Sequence, residues 1–453
     1  MTSNQVHAVD EILPTSRLMA LGLQHVLVMY AGAVVVPLIV GSAMHLPKDQ
    51  ITFLINADLF ACGIATLLQT IGMGPFGIRL PIMMGVTFAS VPPMIAIGSD
   101  PNLGLLGIYG AVIIAGIVGI FIAPLVGKLF RFFPPVVTGT VIMVIGISLM
   151  GVGIHWAAGG LGNPHYGHPF YLLISTLVLL FILALNKFGK GFWVDISVLL
   201  GIIFGFVVTW LCGKITFPDL TQVASIGLIL PFHFGLPTFN FWAIVTMIMV
   251  TLVTFIESSG MFLAVGDIVG RPVNTQALIR GLRVDGLGTL IGGVFNTFPY
   301  TSFSQNVGLV AVTGVRSRWV CAVGGVILLL LGLFPKIAHI VASVPVFVLG
   351  GAGIVMFGMV TATGIRILSR ADLFANRANQ YIIAVSVGVG MIPVVAPQFF
   401  VQLPPVLAPL LKSGILLATL SAVLLNILFN GLRSQAVAEE DVMVSGKTKD
   451  TLH

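Results

Sequence analysis

Two carboxyl groups and one imidazole lie deep within apolar stretches of this 453-residue sequence. Glu257 is embedded in VTFIESSGMFLAVG, Asp285 in GLRVDGLGTLIGG and His25 in LGLQHVLVMY. A charged side chain at the centre of a membrane costs about 2.5–3.5 kcal/mol, so such residues mostly bind a ligand, pair or relay protons. Glu257 is therefore a candidate ligand-binding carboxylate. Asp285 and His25 are candidates for proton coupling or for a supporting polar network.

The neighbours of these residues leave structural alternatives open. Gly260 and Ala264 follow Glu257 on nearly the same helical face, where small side chains leave room for a ligand or a close helix crossing. A neighbouring serine or backbone group could instead satisfy Glu257. Asp285 could likewise be only a structural partner of a residue such as His25.

Gln305 and Asn306 form an amide pair within another apolar stretch. Because an amide offers both a donor and an acceptor, the pair could bind the N–H/C=O edge of a heterocycle. It could also bridge unpaired backbone groups at a break in the helix. The two roles are compatible, since a ligand can compete for the same groups.

The remaining polar residues predict no further site. Asp58 and Asp195 lie nearer the ends of apolar stretches and are expected at the membrane interface, whereas Asp267 is expected to be a solvated helix end. The loop histidines have no accompanying carboxylate or cysteine, and no cysteine belongs to a CxxC pair. We therefore predict no metal, cofactor or disulfide among His155, His165, His168, Cys62, Cys212 and Cys321.

The composition requires these residues to be held by membrane-spanning elements. Of all residues 57% are hydrophobic and 8% are charged, whereas a soluble chain carries about 25% charged residues. The pI near 9.4 comes with no basic stripe, so nucleic-acid binding is excluded. The first sixteen residues are polar, so no cleavable signal peptide is expected.

Hydropathy, with glycines, prolines and charges taken as boundaries, predicts fourteen membrane segments. They lie at about 18–40, 51–72, 82–98, 103–126, 134–154, 169–186, 193–213, 240–265, 277–296, 299–314, 319–334, 338–362, 378–397 and 410–430. With this count, seventeen lysines and arginines fall on the side of both termini and four on the other. The positive-inside rule therefore places both termini in the cytoplasm.

The third and tenth segments are unusual in the same way. PIMMGVTFASVPPMIAIG and PYTSFSQNVGLVAVTG are short, begin with proline and carry polar groups in mid-membrane. They occupy corresponding positions in two halves of seven segments, and an odd number of segments makes the halves inverted. Paired interrupted segments of this kind indicate the midplane site of a transporter.

The stretch QNVGLVAVTG resembles the signature of the nucleobase–ascorbate transporter family, also called nucleobase:cation symporter-2. That signature is Gln/Glu/Pro, Asn, any residue, Gly, four of any kind, Thr, then Arg/Lys/Gly. Gln305, Asn306, Gly308, Thr313 and Gly314 meet every fixed position. The ESSG stretch and the opening LGLQHVLVMYAG also resemble this family, so the resemblance extends over about 17–432.

The resemblance implies an all-α polytopic membrane protein with fourteen segments in two inverted seven-span repeats. Short strands are expected in the interrupted third and tenth spans. A core domain would comprise 17–132 (spans 1–4) and 240–335 (spans 8–11), and a gate domain 133–239 (spans 5–7) and 336–432 (spans 12–14). Cytoplasmic tails would comprise 1–16 and 433–453.

The resemblance also assigns roles to residues. Glu257 and Gln305 would hold a nucleobase with their side chains, Phe88 and Ser304 would line it, and Thr87 would complete the substrate-binding residues. The proton-coupling or supporting network would comprise Asp285, His25 and Asn306.

The branch of the family is suggested by three positions. Met261 and Gln305 stand where the uracil branch has a histidine and an acidic residue, which argues against uracil. Thr87 resembles the urate-type members, whereas xanthine members more often have asparagine there. The resemblance thus favours the purine branch.

These features predict a secondary transporter that imports urate and/or xanthine by proton symport across a bacterial inner membrane, without enzymatic activity. The expected partners are the purine, the proton, membrane lipid and a second copy in a homodimer. Alternatives are a uracil or other nucleobase symporter, or an anion transporter of the sulfate-carrier type. The latter would place basic groups at the midplane, whereas these groups are acidic and amide. A membrane-embedded enzyme would need a nucleophile elbow, metal-ligand spacing or phosphate loop, which the sequence lacks.

Overall fold

The computed structural model describes residues 7–216, 218–221, 223–371, 373, 376–404 and 408–432. The predicted C-terminal tail, 433–453, lies outside the described residues, as do the first six residues of the predicted N-terminal tail. The described part of the chain is mainly α-helical.

The described residues of the first half form nine helices and one strand. These are α1 (Thr15–Ala43), α2 (Lys48–Ile71), β1 (Met84–Val86), α3 (Val91–Gly98), α4 (Gly104–Ile122), α5 (Val126–Leu129), α6 (Pro135–Ala157), α7 (Pro169–Phe188), α8 (Phe192–Asp195) and α9 (Ser197–Leu211). A 3-10 turn, Phe88–Ser90, joins β1 to α3, and two more lie at Ala123–Leu125 and Phe130–Phe132.

The described residues of the second half also form nine helices and one strand. They are α10 (Phe241–Val269), α11 (Thr275–Val294), β2 (Tyr300–Ser302), α12 (Ser304–Thr313), α13 (Arg318–Gly332), α14 (Pro335–Ala342), α15 (Val346–Leu368), α16 (Arg377–Val395), α17 (Ala408–Leu411) and α18 (Gly414–Asn430).

Eight helices of the described chain are long and apolar enough to cross a membrane, which makes this an integral membrane protein. A ninth candidate is the pair α13 and α14, which is bent by 80°. Shorter apolar helices lie at three of the other predicted segments, at Phe88–Gly98, Ser197–Leu211 and Gly414–Asn430. The number of fourteen segments stays a prediction.

The twelfth predicted segment, at about 338–362, begins too early. Its first residues belong to α14, and the long helix α15 begins only at Val346, after Pro345. Proline lacks the N–H that would continue a helix, so a new helix begins after it. Hydropathy alone does not register this break because both helices are apolar.

The helices pack in two groups. In the first group α2 packs on α13, α4 packs on α11 and α10, and α1 packs on α13. In the second group α15 packs on α6 and α7, and α16 packs on α18. Glycine permits these close approaches: a Cβ at Gly63 of α2 would lie 2.6 Å from the Gly325 carbonyl of α13.

The two strands join the interrupted segments of the two halves. β1 and β2 are antiparallel, with Met84 opposite Ser302 and Val86 opposite Tyr300. The pairing extends beyond the strands, since the Phe303 N–H donates to the Met83 carbonyl over 2.9 Å. Both strands are buried, so their paired backbone lies inside the first group of helices.

The described end of the N-terminal tail is docked on the helix bundle. Asp10 forms ion pairs with Arg271 (3.1 Å), which follows α10, and with Arg318 (2.7 Å), which begins α13. The Arg318 N–H donates to the Val9 carbonyl over 3.0 Å, and Val9 is fully buried. This segment therefore connects the ends of helices that are far apart in the sequence.

Candidate functional site

The paired strands bring the predicted ligand-binding residues of the two halves to one place. β2 leads directly into α12, whose first two residues are Ser304 and Gln305. Both are exposed, and the Ser304 hydroxyl donates to Gln305 Oε1 over 3.2 Å. Phe88 begins the 3-10 turn after β1 and is partly buried. The helix start at α12 also directs backbone N–H groups towards its N-terminal end.

Glu257 is held beside β2 by its neighbour in α10. The Ser258 hydroxyl lies 2.9 Å from Thr301 Oγ1 and accepts the Ser302 N–H over 3.2 Å. Glu257 itself is only partly buried, and among the described residues it forms no hydrogen bond or ion pair. Its carboxyl group is therefore available to a ligand.

A glycine with open space beside it lies one helical turn after Glu257, and another lies one turn after Gln305. A Cβ added at Gly260, three residues after Glu257, would meet nothing within 4 Å. The same holds at Gly308, three residues after Gln305. Because α10 and α12 pack against each other, the two open positions belong to neighbouring helices.

Phe88 lies where the two groups of helices meet. Its ring contacts the ring of Phe357 on α15, with centroids 6.1 Å apart and planes at 82°. Phe357 is fully buried and was not predicted as part of the site. No sequence motif distinguishes it from Phe347, the other aromatic residue of its helix.

The Thr87 side chain supports the turn that carries Phe88. Its hydroxyl oxygen accepts the Ala89 N–H over 3.2 Å, and its own N–H donates to the Pro299 carbonyl over 3.0 Å. The residue is 1% exposed. The structure thus places Thr87 next to the candidate site, with its hydroxyl in a cap.

Asn306 and His25 form a separate buried contact between α12 and α1. Asn306 Nδ2 donates to the His25 carbonyl over 2.9 Å and lies 3.1 Å from His25 Nδ1. Cys321 Sγ of α13 lies 3.8 Å from the same ring nitrogen. The Asn306 side chain therefore faces away from the exposed side of α12 and anchors α12 to α1.

Asp285 is buried and has a different partner from the one suggested above. Gln69 Nε2 of α2 donates to Asp285 Oδ1 over 3.4 Å and to the Gly281 carbonyl over 3.1 Å. Asp285 Oδ2 has no hydrogen-bond partner among the described residues. His25 contacts Asn306 instead, so the suggested pairing of Asp285 with His25 is wrong. Asp285 does lie close enough to Glu257 for electrostatic interaction.

The expectation that Asp58 lies at the membrane interface is wrong. Asp58 is fully buried near the middle of α2 and accepts hydrogen bonds from Tyr300 Oη (2.7 Å) and Thr297 Oγ1 (3.0 Å). These partners stand about 240 residues further along the chain, so no local pattern could reveal them. Asp267 is exposed in the last turn of α10, as expected for a helix end.

The loop histidines do not assemble with other ligands. His155 Nδ1 bonds the Tyr166 hydroxyl over 2.8 Å, and the ring of His165 packs edge-on against that of His168. Within the described ranges, no three His, Cys, Asp or Glu residues are grouped so that they could hold a metal ion.

A bundle of membrane helices with an open polar site at two paired, interrupted segments defines a polytopic membrane transporter. A model of the permease family, which corresponds to nucleobase:cation symporter-2, matches residues 16–399. The chain therefore belongs to this family. Its members are permeases, which confirms the expectation of a transporter rather than an enzyme.

Two relatives illustrate the similarity. The chain is 57% identical over 443 residues to the uric acid transporter UacT of Escherichia coli (strain K12), covering 96% of this chain and 92% of that protein. It is 46% identical over 431 residues to the xanthine permease of Bacillus subtilis (strain 168), covering 95% and 98%.

Solved structures with low sequence identity share the fold. The transmembrane domain of a cyanobacterium bicarbonate transporter, BicA, has a TM-score of 0.56 at 18% identity and covers 92% of this chain and 99% of that chain. The murine Slc26a9 anion transporter in the inward-facing state has a TM-score of 0.59 at 13% identity, covering 92% and 69%. At these identities the likeness concerns the fold alone.

Proposed function

We propose that this protein imports an oxidised purine base, urate or xanthine, together with protons. The observation that carries the proposal is the carboxyl group of Glu257, a partly buried residue that has no partner among the described residues. It stands beside the strand that leads into the exposed Gln305. The relatives named for uric acid and xanthine support the choice of substrate class.

The proposed recognition uses three kinds of contact. The carboxylate of Glu257 accepts ring N–H groups, and the amide of Gln305 pairs with an N–H/C=O edge. The ring of Phe88 covers the purine plane, and Ser304 lines its edge. Hydrogen bonds to a charged group contribute about 1.5–3 kcal/mol each, which is enough to distinguish purines by their edge pattern.

The proposed proton-coupling group is Asp285. It lies within electrostatic range of Glu257, and two nearby carboxylates favour binding of one proton. Its Oδ2, unpartnered among the described residues, offers a place for that proton. His25 and Asn306 support the site indirectly, because they anchor α12 to α1.

We further propose fourteen spans in two inverted repeats, divided into a core and a gate domain. The core would comprise 17–132 and 240–335, and the packing within the first group of helices supports this part of the division. The gate would comprise 133–239 and 336–432, which the packing within the second group supports, whereas α14 packs on α2 of the first group. Movement of the core against the gate, across the contact of Phe88 with Phe357, exposes the site alternately to each side.

We propose that the protein lies in a bacterial inner membrane with both termini in the cytoplasm. The excess of lysine and arginine on the side of the termini supports this orientation. A homodimer formed through the gate domain is expected by analogy with the family. Its assembly is open to direct test by cross-linking in membranes.

An anion carrier is a second candidate, because the fold neighbours are named for bicarbonate and anion transport. Such a carrier needs positive groups or free helix N-termini at the midplane. Here Glu257 and Asp285 make the site acidic, which disfavours an anion without N–H donors. Urate and xanthine keep such donors on their rings, so they can bind a carboxylate.

Uptake of radiolabelled urate and xanthine into cells that express the protein tests the proposal. We expect uptake of at least one purine, abolished by a protonophore and unaffected by excess uracil. Cells that lack the protein provide the background. Absence of purine uptake by protein shown to be in the membrane would contradict the proposed substrate class. A bicarbonate or sulfate flux that purines do not inhibit would favour the anion carrier.

A further inference from the structure

A buried polar cluster lies on the side of β2 that faces α2. Asp58 Oδ1 accepts the Tyr300 hydroxyl over 2.7 Å and the Thr297 hydroxyl over 3.0 Å. Asp58 Oδ2 accepts the Cys62 thiol over 3.9 Å. All four side chains are fully or almost fully buried. The sequence did not predict this cluster, and the proposed transport mechanism does not use it.

Three donors reach the carboxyl oxygens of Asp58, and the Tyr300 hydroxyl also lies 3.0 Å from the Asp58 backbone carbonyl oxygen. No ion pair among the described residues includes Asp58, so hydrogen bonding is what stabilises the carboxyl group there. A buried hydrogen bond is costly to break, because both of its partners are then left unsatisfied. The bond from Tyr300 is therefore a strong restraint on the residue that begins β2.

The strand that Tyr300 begins is restrained at two further points. The Tyr300 N–H donates to Thr289 Oγ1 of α11 over 3.2 Å. The Ser302 N–H donates to Ser258 Oγ of α10 over 3.2 Å. Together with Asp58 of α2, these contacts tie one three-residue strand to three helices.

β2 is followed immediately by the residues of the candidate site. One residue separates Ser302 from Ser304, and Gln305 comes next. A shift of the strand along its pairing with β1 would move both side chains relative to Glu257. Catalytic and binding groups lose effectiveness when their supporting residues allow shifts of about 1 Å.

We propose that Asp58 is a positioning residue for purine binding. It acts through Tyr300 on the register of β2, and thereby on Ser304 and Gln305. This inference rests on the proposed function for its substrate, although the restraint on the strand does not depend on what is transported.

Uptake kinetics of four variants test the inference. We expect Tyr300→Phe to raise the KM for the transported purine about tenfold, because the buried hydrogen bond that restrains β2 is lost and Asp58 loses a donor. Asp58→Leu, which removes the side-chain acceptor, is also expected to raise KM. The double variant should then differ little from the more severe single one, since both remove the same interaction.

Tyr109→Phe is the matched control. Tyr109 is fully buried, and its hydroxyl has no hydrogen-bond partner among the described residues. Its substitution should leave KM unchanged. The positioning role would be overturned if Tyr300→Phe left KM unchanged, including the case in which this variant only lowered the amount of protein in the membrane.

A labelling experiment reports the same restraint without any substrate. A single accessible cysteine at the site is made by Ser304→Cys together with Cys212→Ser, because Cys62 and Cys321 are buried. We expect Tyr300→Phe to change the rate of maleimide labelling severalfold, and Tyr109→Phe to leave it unchanged. An unchanged rate in Tyr300→Phe would contradict the inference even if the parent protein transported no purine. If the parent protein transported no purine but Tyr300→Phe still altered the labelling rate, only the proposed function would be contradicted.

Discussion

Glu257 and Asp285 are neighbouring carboxyl groups with different surroundings. Glu257 is partly accessible and has no partner among the described residues, whereas Asp285 is 1% exposed and accepts a bond from Gln69. The accessible group can meet a substrate directly. The buried group can hold a proton without occupying the space of the ligand. We therefore assign substrate binding to Glu257 and proton binding to Asp285.

Gly260 and Gly286 have opposite surroundings: the first has open space beside it, and the second is closely packed. A methyl group at Gly260 would meet nothing within 4 Å, whereas one at Gly286 would lie 2.7 Å from the Ile120 backbone nitrogen. Gly260→Ala should therefore raise stability by about 0.5–1 kcal/mol through helix propensity, yet weaken purine uptake because it narrows the site. Gly286→Ala should destabilise by about 1–3 kcal/mol through overpacking.

Thermal melting of the purified variants, paired with uptake assays, measures both effects. A loss of stability in Gly260→Ala would contradict the open space beside Glu257. Full stability in Gly286→Ala would contradict the close approach of α4 and α11.

The elements were predictable to the extent that they depend on local pattern. Long apolar runs specify helices such as α1 and α10, since in a membrane a helix satisfies its backbone polar groups by hydrogen bonds within itself. The interruption near Thr87 and Gln305 was visible in the prolines and polar residues of those segments.

Long-range contacts could not be predicted from local pattern. Asp58 and Tyr300 are 242 residues apart, and the apolar run around Asp58 resembles that of any span end. The contact between Phe88 and Phe357 depends on how two groups of helices meet. Neither pairing leaves a periodic signal along the chain.

The docked N-terminal segment leads to a prediction at the scale of elements. Arg318 pairs with Asp10 and also donates to the Thr70 and Ile71 carbonyls at the end of α2, over 2.7 and 3.0 Å. Among the described residues the Arg271 side chain makes only the pair with Asp10, and it is 38% exposed against 14% for Arg318. Arg318→Ala should cost about 1–3 kcal/mol, and Arg271→Ala about 0–1 kcal/mol.

Melting temperatures in detergent compare these two variants, with the parent protein as reference. Equal losses would indicate that the carbonyl contacts of Arg318 contribute nothing. A larger loss in Arg271→Ala would contradict the docked arrangement.

The topology of the whole molecule can be tested with a native residue. Cys212 follows α9 and is exposed, whereas Cys62 and Cys321 are buried. The fourteen predicted segments place Cys212, with Lys214, on the side that has few positive charges. The positive-inside rule places that side outside the cytoplasm. We therefore expect a membrane-impermeant maleimide to label the protein in intact spheroplasts.

Cys212→Ser should abolish this labelling and serves as the control. Labelling that requires permeabilised membranes would place the loop in the cytoplasm and reverse the proposed orientation of both termini.

Equilibrium binding of radiolabelled urate and xanthine to the purified protein, with Glu257→Gln as the comparison, tests the central claim most directly. The substitution keeps the size of the side chain but removes its charge and places an amide donor opposite the ring N–H groups. We predict that the parent binds at least one purine and that Glu257→Gln weakens this binding by about tenfold or more. Equal affinity of the two proteins would contradict the assignment of Glu257 as the group that holds the purine.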